Sequence, residues 1–161
     1  MTAKASLEAK IQRLEDMEAI KRVKYKYFRC IDRGLWDNLG ECFAEQGVAD
    51  YGGNSVLKGG EAITTYFKEN IAPNFSICVH HGHNPEIDFT SETAATGVWQ
   101  LESFLVSSQT NIGLWIAGYY EEEYIKEKGE WKLNRLKVTL EFASDIEKGW
   151  AKERFCKSAG F

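Results

Sequence analysis

The chain of 161 residues has no apolar run near the ~20 residues that a membrane helix needs. It has no basic surplus: 20 Lys and Arg stand against 24 Asp and Glu, a net charge of −4, which excludes a basic nucleic-acid binder. It has only two prolines, Pro73 and Pro85, and no Pro-, Gly- or Ser-rich linker, repeat or low-complexity tract. Nothing divides it, so a single domain over 1–161 is expected. The four cysteines, Cys30, Cys42, Cys78 and Cys156, form no CxxC pair and no zinc spacing. Three of them lie among apolar residues, as free thiols do. The N-terminal segment carries Lys4, Glu8, Lys10, Arg13, Glu15 and Asp16, which is not the apolar core of a signal peptide. These features predict a soluble, cytoplasmic protein with reduced thiols. No GxGxxG, GxxxxGK[ST] or GxSxG motif occurs, so no nucleotide site or acyl-transfer triad is indicated.

What is present is an ordinary globular balance, 43% hydrophobic and 27% charged, with two concentrations. Aromatics reach 13%, from five Trp, seven Tyr and nine Phe, enough to line a pocket as well as fill a core. All three histidines fall in the run Val79-His80-His81-Gly82-His83.

The periodicity predicts helices first and strands after. Ile11, Leu14, Met17, Ile20, Val23, Tyr27 and Ile31 form one apolar stripe on a long helix that stops at Gly34. A short helix over 35–44, a hairpin over Val48–Leu57 turning at Gly52-Gly53, and a helix over Glu61–Asn70 follow. From Phe75 the apolar residues alternate. Ala95, Gly97, Trp99, Leu101, Ser103 and Leu105 share one face, opposite Gln100 and Glu102. Gly113–Ile125 is a further strand, and Lys126–Gly129 a polar turn. In the last strand Trp131 and Leu133 have one parity, and Leu136, Val138, Leu140 and Phe142 the other, which implies a bulge near Asn134–Arg135. A final short helix is expected over Asp145–Lys152. The plan is α+β: a curved antiparallel sheet with helices packed on one face, enclosing a conical cavity.

Asp32 ends the long helix, where the dipole disfavours a carboxylate by roughly 0.3–1 kcal/mol. Two readings stand: a surface aspartate beside a glycine turn, or an acceptor that fixes the tautomer of a histidine. His80 is the natural partner, with a satisfied structural histidine as the other reading. Strand alternation places His80 opposite His81 and His83, so the three cannot all meet one metal without a kink; two could, but the chain has no second ligand motif such as HExxH, and no metal site is expected. Tyr27 lies about 140° around the helix from Asp32, and Tyr51 ends a short strand. Both are either core aromatics with bonded hydroxyls or donors to a carbonyl or a departing hydroxyl. Glu121-Glu122-Glu123 reads as a solvated strand end.

The stretch Ile20-Lys21-Arg22-Val23-Lys24-Tyr25-Lys26-Tyr27-Phe28-Arg29-Cys30-Ile31-Asp32, followed by Trp36-Asp37, resembles the opening helix of SnoaL-like proteins in the NTF2-like superfamily, above all the bile-acid 7α-dehydratases. Val79-His80-His81-Gly82-His83-Asn84-Pro85-Glu86-Ile87 is similar to their catalytic-histidine segment and to that of lindane dehydrochlorinase. Thr96–Glu102, Gly118-Tyr119-Tyr120 and Gly129-Glu130-Trp131 continue the likeness. The resemblance implies an NTF2-like cone with the N-terminal helices on the concave face of the sheet. It implies His80 as general base, Asp32 as its orienting partner, and Tyr27 and Tyr51 either binding the leaving hydroxyl or polarising the substrate. It further implies that no cofactor is needed and that the chain forms a homo-oligomer, a trimer before a dimer. Scytalone dehydratase, of the same superfamily, fits the same chemistry. Two positions depart from the bile-acid enzymes: Ser103 replaces an acidic residue, and Leu140 an arginine.

The expected function is a cofactor-independent dehydratase acting on a small, apolar, ring-shaped substrate such as a steroid, terpenoid or polyketide. An isomerase using the same pocket and a non-catalytic binding domain are the alternatives.

Overall fold

The computed structural model describes residues 6–52 and 56–161. Helix α1 spans Leu7–Asp32 and begins at Ser6, whose hydroxyl accepts the Ala9 N–H at 3.2 Å. From Asp16 onward it has a buried face that includes Ile20, Lys24, Tyr27, Phe28 and Ile31. The expected stripe does not extend to its start: Ile11 and Leu14 are exposed. The first hydrogen-bonded tie to the sheet is Asp16, whose carboxylate accepts from the Trp131 indole at 2.8 Å and from Lys126 Nζ at 2.7 Å. Gly34, at φ +63°, ends the helix in a left-handed residue. Its N–H reaches Ile31 O at 3.2 Å while the Leu35 N–H reaches Cys30 O at 2.8 Å, the two bonds of a Schellman motif. Asp32 is thereby held at the rim of the helix.

Helix α2 (Trp36–Leu39) runs into a 3₁₀ turn, Gly40–Cys42. Strands β1 (Phe43–Asp50) and β2 (Val56–Lys58) pair antiparallel, Val48 with Lys58 and Asp50 with Val56. The expected turn between them lies partly outside the described residues. Helix α3 (Gly60–Tyr66) continues as one wider turn, Phe67–Ile71, before four long strands: β3 (Phe75–Phe89), β4 (Ala94–Ser107), β5 (Gly113–Glu127) and β6 (Glu130–Asp145).

The strand order is β2-β1-β6-β5-β4-β3, parallel only between β1 and β6, so the curved sheet stays open with β3 at one edge. Odd residues of β4 and even residues of β5 face inward, from Ala95 to Leu105 and from Leu114 to Tyr124. The bulge expected in β6 is present: Glu123 faces Arg135 and Tyr124 faces Leu133, which leaves Asn134 as the extra residue. A second bulge was not expected. Ala117 faces Phe142 while Gly118 faces Leu140, so Glu141 is extra and Phe142 turns to the outer face, where it stacks on Trp150.

The expected helix over Asp145–Lys152 does not form, and the segment is a series of turns. Asp145 Oδ1 accepts the Glu147 N–H at 2.9 Å, and Gly149 sits at φ +75°. A side chain that bonds its own backbone competes with helix formation, and the left-handed glycine ends any continuation.

Candidate active site

Because β3 is an edge strand, alternate backbone N–H groups point away from the sheet. Asp32 meets one of them: Oδ2 accepts the His80 N–H at 3.1 Å. Its other oxygen, Oδ1, lies 2.6 Å from His80 Nδ1. One carboxylate thus fixes both the strand and the imidazole. Assigning the proton to Nδ1 satisfies this bond and leaves Nε2 as an acceptor. Nε2 has no protein partner among the described residues. The dipole cost expected for Asp32 is offset by these two bonds.

The ring is also held by stacking. Phe28 lies parallel to His80, with centroids 5.8 Å apart at 9°. That approach requires Gly82, since a Cβ there would stand 2.7 Å from the Phe28 ring.

His80 stands between two spaces. On one side is an open groove edged by Tyr25, Arg29, Asp32 and Arg33. On the other is a predominantly apolar cavity of about 190 Å³ whose lining includes Tyr27, Tyr51, Tyr66, Phe67, Leu140 and Phe161. Within the cavity the Tyr27 and Tyr51 hydroxyls are 3.1 Å apart. Burial pushes the phenols of Tyr27, Tyr51 and Tyr120 well above the usual range. They are neutral donors at any ordinary pH.

The four residues singled out from sequence, Asp32, His80, Tyr27 and Tyr51, therefore lie on or beside one cavity. The two departures also occupy its wall. Ser103 Oγ donates to Val79 O at 3.0 Å, and Leu140 presents only hydrocarbon. Arg135, Lys137 and Thr139 are exposed instead, with Lys137 paired to Glu121 at 3.3 Å.

Sequence reasoning missed the support behind this wall. Glu122 is not part of a solvated strand end: it is 3% exposed and forms a fully buried ion pair with Lys24. Tyr124 donates to the same carboxylate and accepts from the Trp99 indole at 3.0 Å. Lys24 Nζ sits 3.2 Å from the centroid of the Tyr120 ring and 4.6 Å from that of Phe28, backing the residue that stacks on His80. Desolvation lowers the Lys24 pKa to about 8, against the pull of Glu122. Two signals were available: Lys24 lies on the buried face of α1, and Glu122 shares the parity of Tyr120 and Tyr124.

An open cone of sheet capped by a long helix, with a histidine–aspartate pair at the mouth of an apolar cavity, defines a class of small-molecule pocket proteins. Residues 12–137 match the SnoaL-like domain, and the chain belongs to that family, within the NTF2-like superfamily. Three solved structures are similar. A scytalone dehydratase-like protein from Novosphingobium aromaticivorans is 26% identical, with a TM-score of 0.78 over 85% of this chain and 91% of that one. The hexachlorocyclohexane dehydrochlorinase LinA-type3 from Novosphingobium barchaimii is 20% identical, with a TM-score of 0.81 over 85% and 94%. A type 2 LinA is also 20% identical, with a TM-score of 0.82 over 85% and 93%. The family and these neighbours point to lyase-type enzymes acting on small molecules.

Proposed function

We propose that the protein is a cofactor-independent hydro-lyase. The carrying observation is the imidazole of His80, tied through Nδ1 to Asp32 and lining an apolar cavity with two neutral phenols. His80 Nε2 removes a proton next to a carbonyl. The C–H electron pair forms the new double bond as the β-hydroxyl departs. That hydroxide takes the proton from the imidazolium and leaves as water. Asp32 stabilises the imidazolium while it exists. Tyr27 and Tyr51 donate hydrogen bonds to oxygen as charge develops on it. The groove beside Asp32 and His80 gives the released water an exit.

The substrate is narrower than composition alone implies. A cavity of about 190 Å³ lies below the ~300–1,000 Å³ of sites for drug-sized ligands. One or two rings fit it better than a four-ring steroid. With hydrocarbon at Leu140 and a hydroxyl already bonded at Ser103, the wall has no lysine or arginine to hold an acid.

The test is a panel of one- and two-ring β-hydroxy carbonyl compounds, followed by mass spectrometry. Product lighter by one water, lost about 10²–10⁴-fold in His80→Ala, is expected. Product of unchanged mass identifies an isomerase. Binding without turnover, equal in wild type and His80→Ala, overturns the enzyme reading. By family likeness we further propose a homo-oligomer, a trimer, which sedimentation would establish.

A further inference from the structure

The outer face of the same strands carries a second constellation. His81 and His83, two residues apart, both point away from the cavity and are exposed. In the β3–β4 register His81 faces Glu102 directly. One ligand atom from each of His81, His83 and Glu102 falls within 4.8 Å of the others. His83 Nε2 is already 3.5 Å from Glu102 Oε2, close to the roughly 3.4 Å between ligand atoms around a tetrahedral zinc with bonds of about 2.1 Å.

Glu102 is oriented for this. Its other oxygen, Oε1, accepts the Trp115 indole N–H at 3.0 Å, which leaves Oε2 turned to His83. A bond of this kind is what outer partners of metal ligands supply. The Phe104 ring stands edge-on to His81, with centroids 6.0 Å apart, and limits its swing.

We infer that His81, His83 and Glu102 form a binding site for one borderline divalent ion, of which Zn²⁺ is the natural example. Two imidazoles and a carboxylate suit such an ion better than Mg²⁺ or Ca²⁺, which prefer all-oxygen shells. His83 and Glu102 edge a shallow groove with Gln100, Tyr119 and Trp150, which gives solvent access to the fourth coordination position. The expectation of no metal rested on strand alternation and on the lack of a second ligand motif in the sequence; a lone glutamate on a paired strand forms no motif. The third ligand comes from the neighbouring strand. His80 faces the opposite side of the sheet and supplies no ligand atom to the cluster, although all three histidines border the open groove at the edge of β3.

The experiment is calorimetric titration of the untagged protein with Zn²⁺ alone at neutral pH. One saturable site per chain is expected. His81→Ala and His83→Ala each weaken binding by more than the ~10–100-fold typical of outer partners, and Trp115→Phe weakens it about tenfold. His80→Ala binds as wild type does. Circular dichroism and urea midpoints show that each variant is folded. Absence of a saturable site, wild-type affinity in His83→Ala, or loss of the site in His80→Ala overturns the inference.

Discussion

Two of the charge pairs on helix α1 lie about two turns apart, and they differ in kind. Lys24 and Glu122 are both fully buried, enclosed by Tyr120, Tyr124 and Phe28. Asp32 and His80 keep side-chain exposures of 22% and 14%, and His80 has a ring nitrogen free of protein partners among the described residues. Both oxygens of Glu122 accept hydrogen bonds, and the Lys24 ammonium is enclosed between that carboxylate and aromatic rings. The second pair keeps one acceptor in reserve and has solvent on one flank. A buried pair holds a shape. A pair that is half-open and still lacks one partner can exchange a proton.

The largest expected effect lies in the closed pair. Lys24→Met strands the Glu122 charge in the core and costs about 3–5 kcal/mol in urea unfolding. The double variant Lys24→Met/Glu122→Leu removes both charges and recovers most of that loss. If the double variant is no better than the single one, the closed pair holds more than shape.

Asp32→Asn probes the open pair. It keeps an acceptor for the His80 N–H but removes the charge facing Nδ1. Turnover falls by about 10²-fold or more, while the unfolding free energy in urea changes by less than about 1 kcal/mol. A midpoint that falls as far as in Lys24→Met makes the two pairs the same in kind.

The open pair was the legible one. Asp32 stood out because the end of a helix is a poor place for a carboxylate, and His80 because strand parity isolates it from its neighbours. Both signals are local. The contrast between Lys24 and Glu122 is not, since the two residues meet only once α1 lies across β5. Charged residues read singly default to the surface, and that default hid Glu122. The sheet was legible through its parity, including the bulge at Asn134, where the apolar frame visibly slips. The bulge at Glu141 was hidden because Phe142 is apolar and suited either face; its outward partner, Trp150, lies in a segment with no period. The terminal helix failed for a nearby reason: an apolar-polar pattern over 145–152 says nothing of Asp145 bonding the next turn.

A pH ramp separates the regions by another route. Burial raises the Cys42 thiol to about 12 and the Cys78 thiol to about 11, and holds the Tyr27, Tyr51, Tyr120 and Tyr124 phenols well above 10. Each is raised in the folded state, so its stabilisation is complete below the unfolded pKa and is lost as pH climbs. Lys24 has the opposite sign: its lowered pKa adds stability between about 8 and 10.5. The thiols and phenols outnumber it, so the urea midpoint falls from pH 9 upward. Cys78→Ala flattens that decline. A midpoint independent of pH from 9 to 11 contradicts the burial of these groups.

Tyr27 belongs to both regions and divides them most finely. Its ring lies 4.8 Å from Lys24 Nζ, against the closed pair, while its hydroxyl meets Tyr51 in the cavity beside the open one. Tyr27→Phe keeps the ring and deletes the hydroxyl. The stability cost is that of one hydrogen bond, about 1 kcal/mol, because the wall over Lys24 is unchanged. Turnover falls about tenfold, and in kcat more than in KM, because the donor acts on charge that appears only as the C–O bond breaks. An unchanged kcat with the same stability loss assigns the hydroxyl, like the ring, to the scaffold. The cavity would then have to hold developing charge with Tyr51 alone.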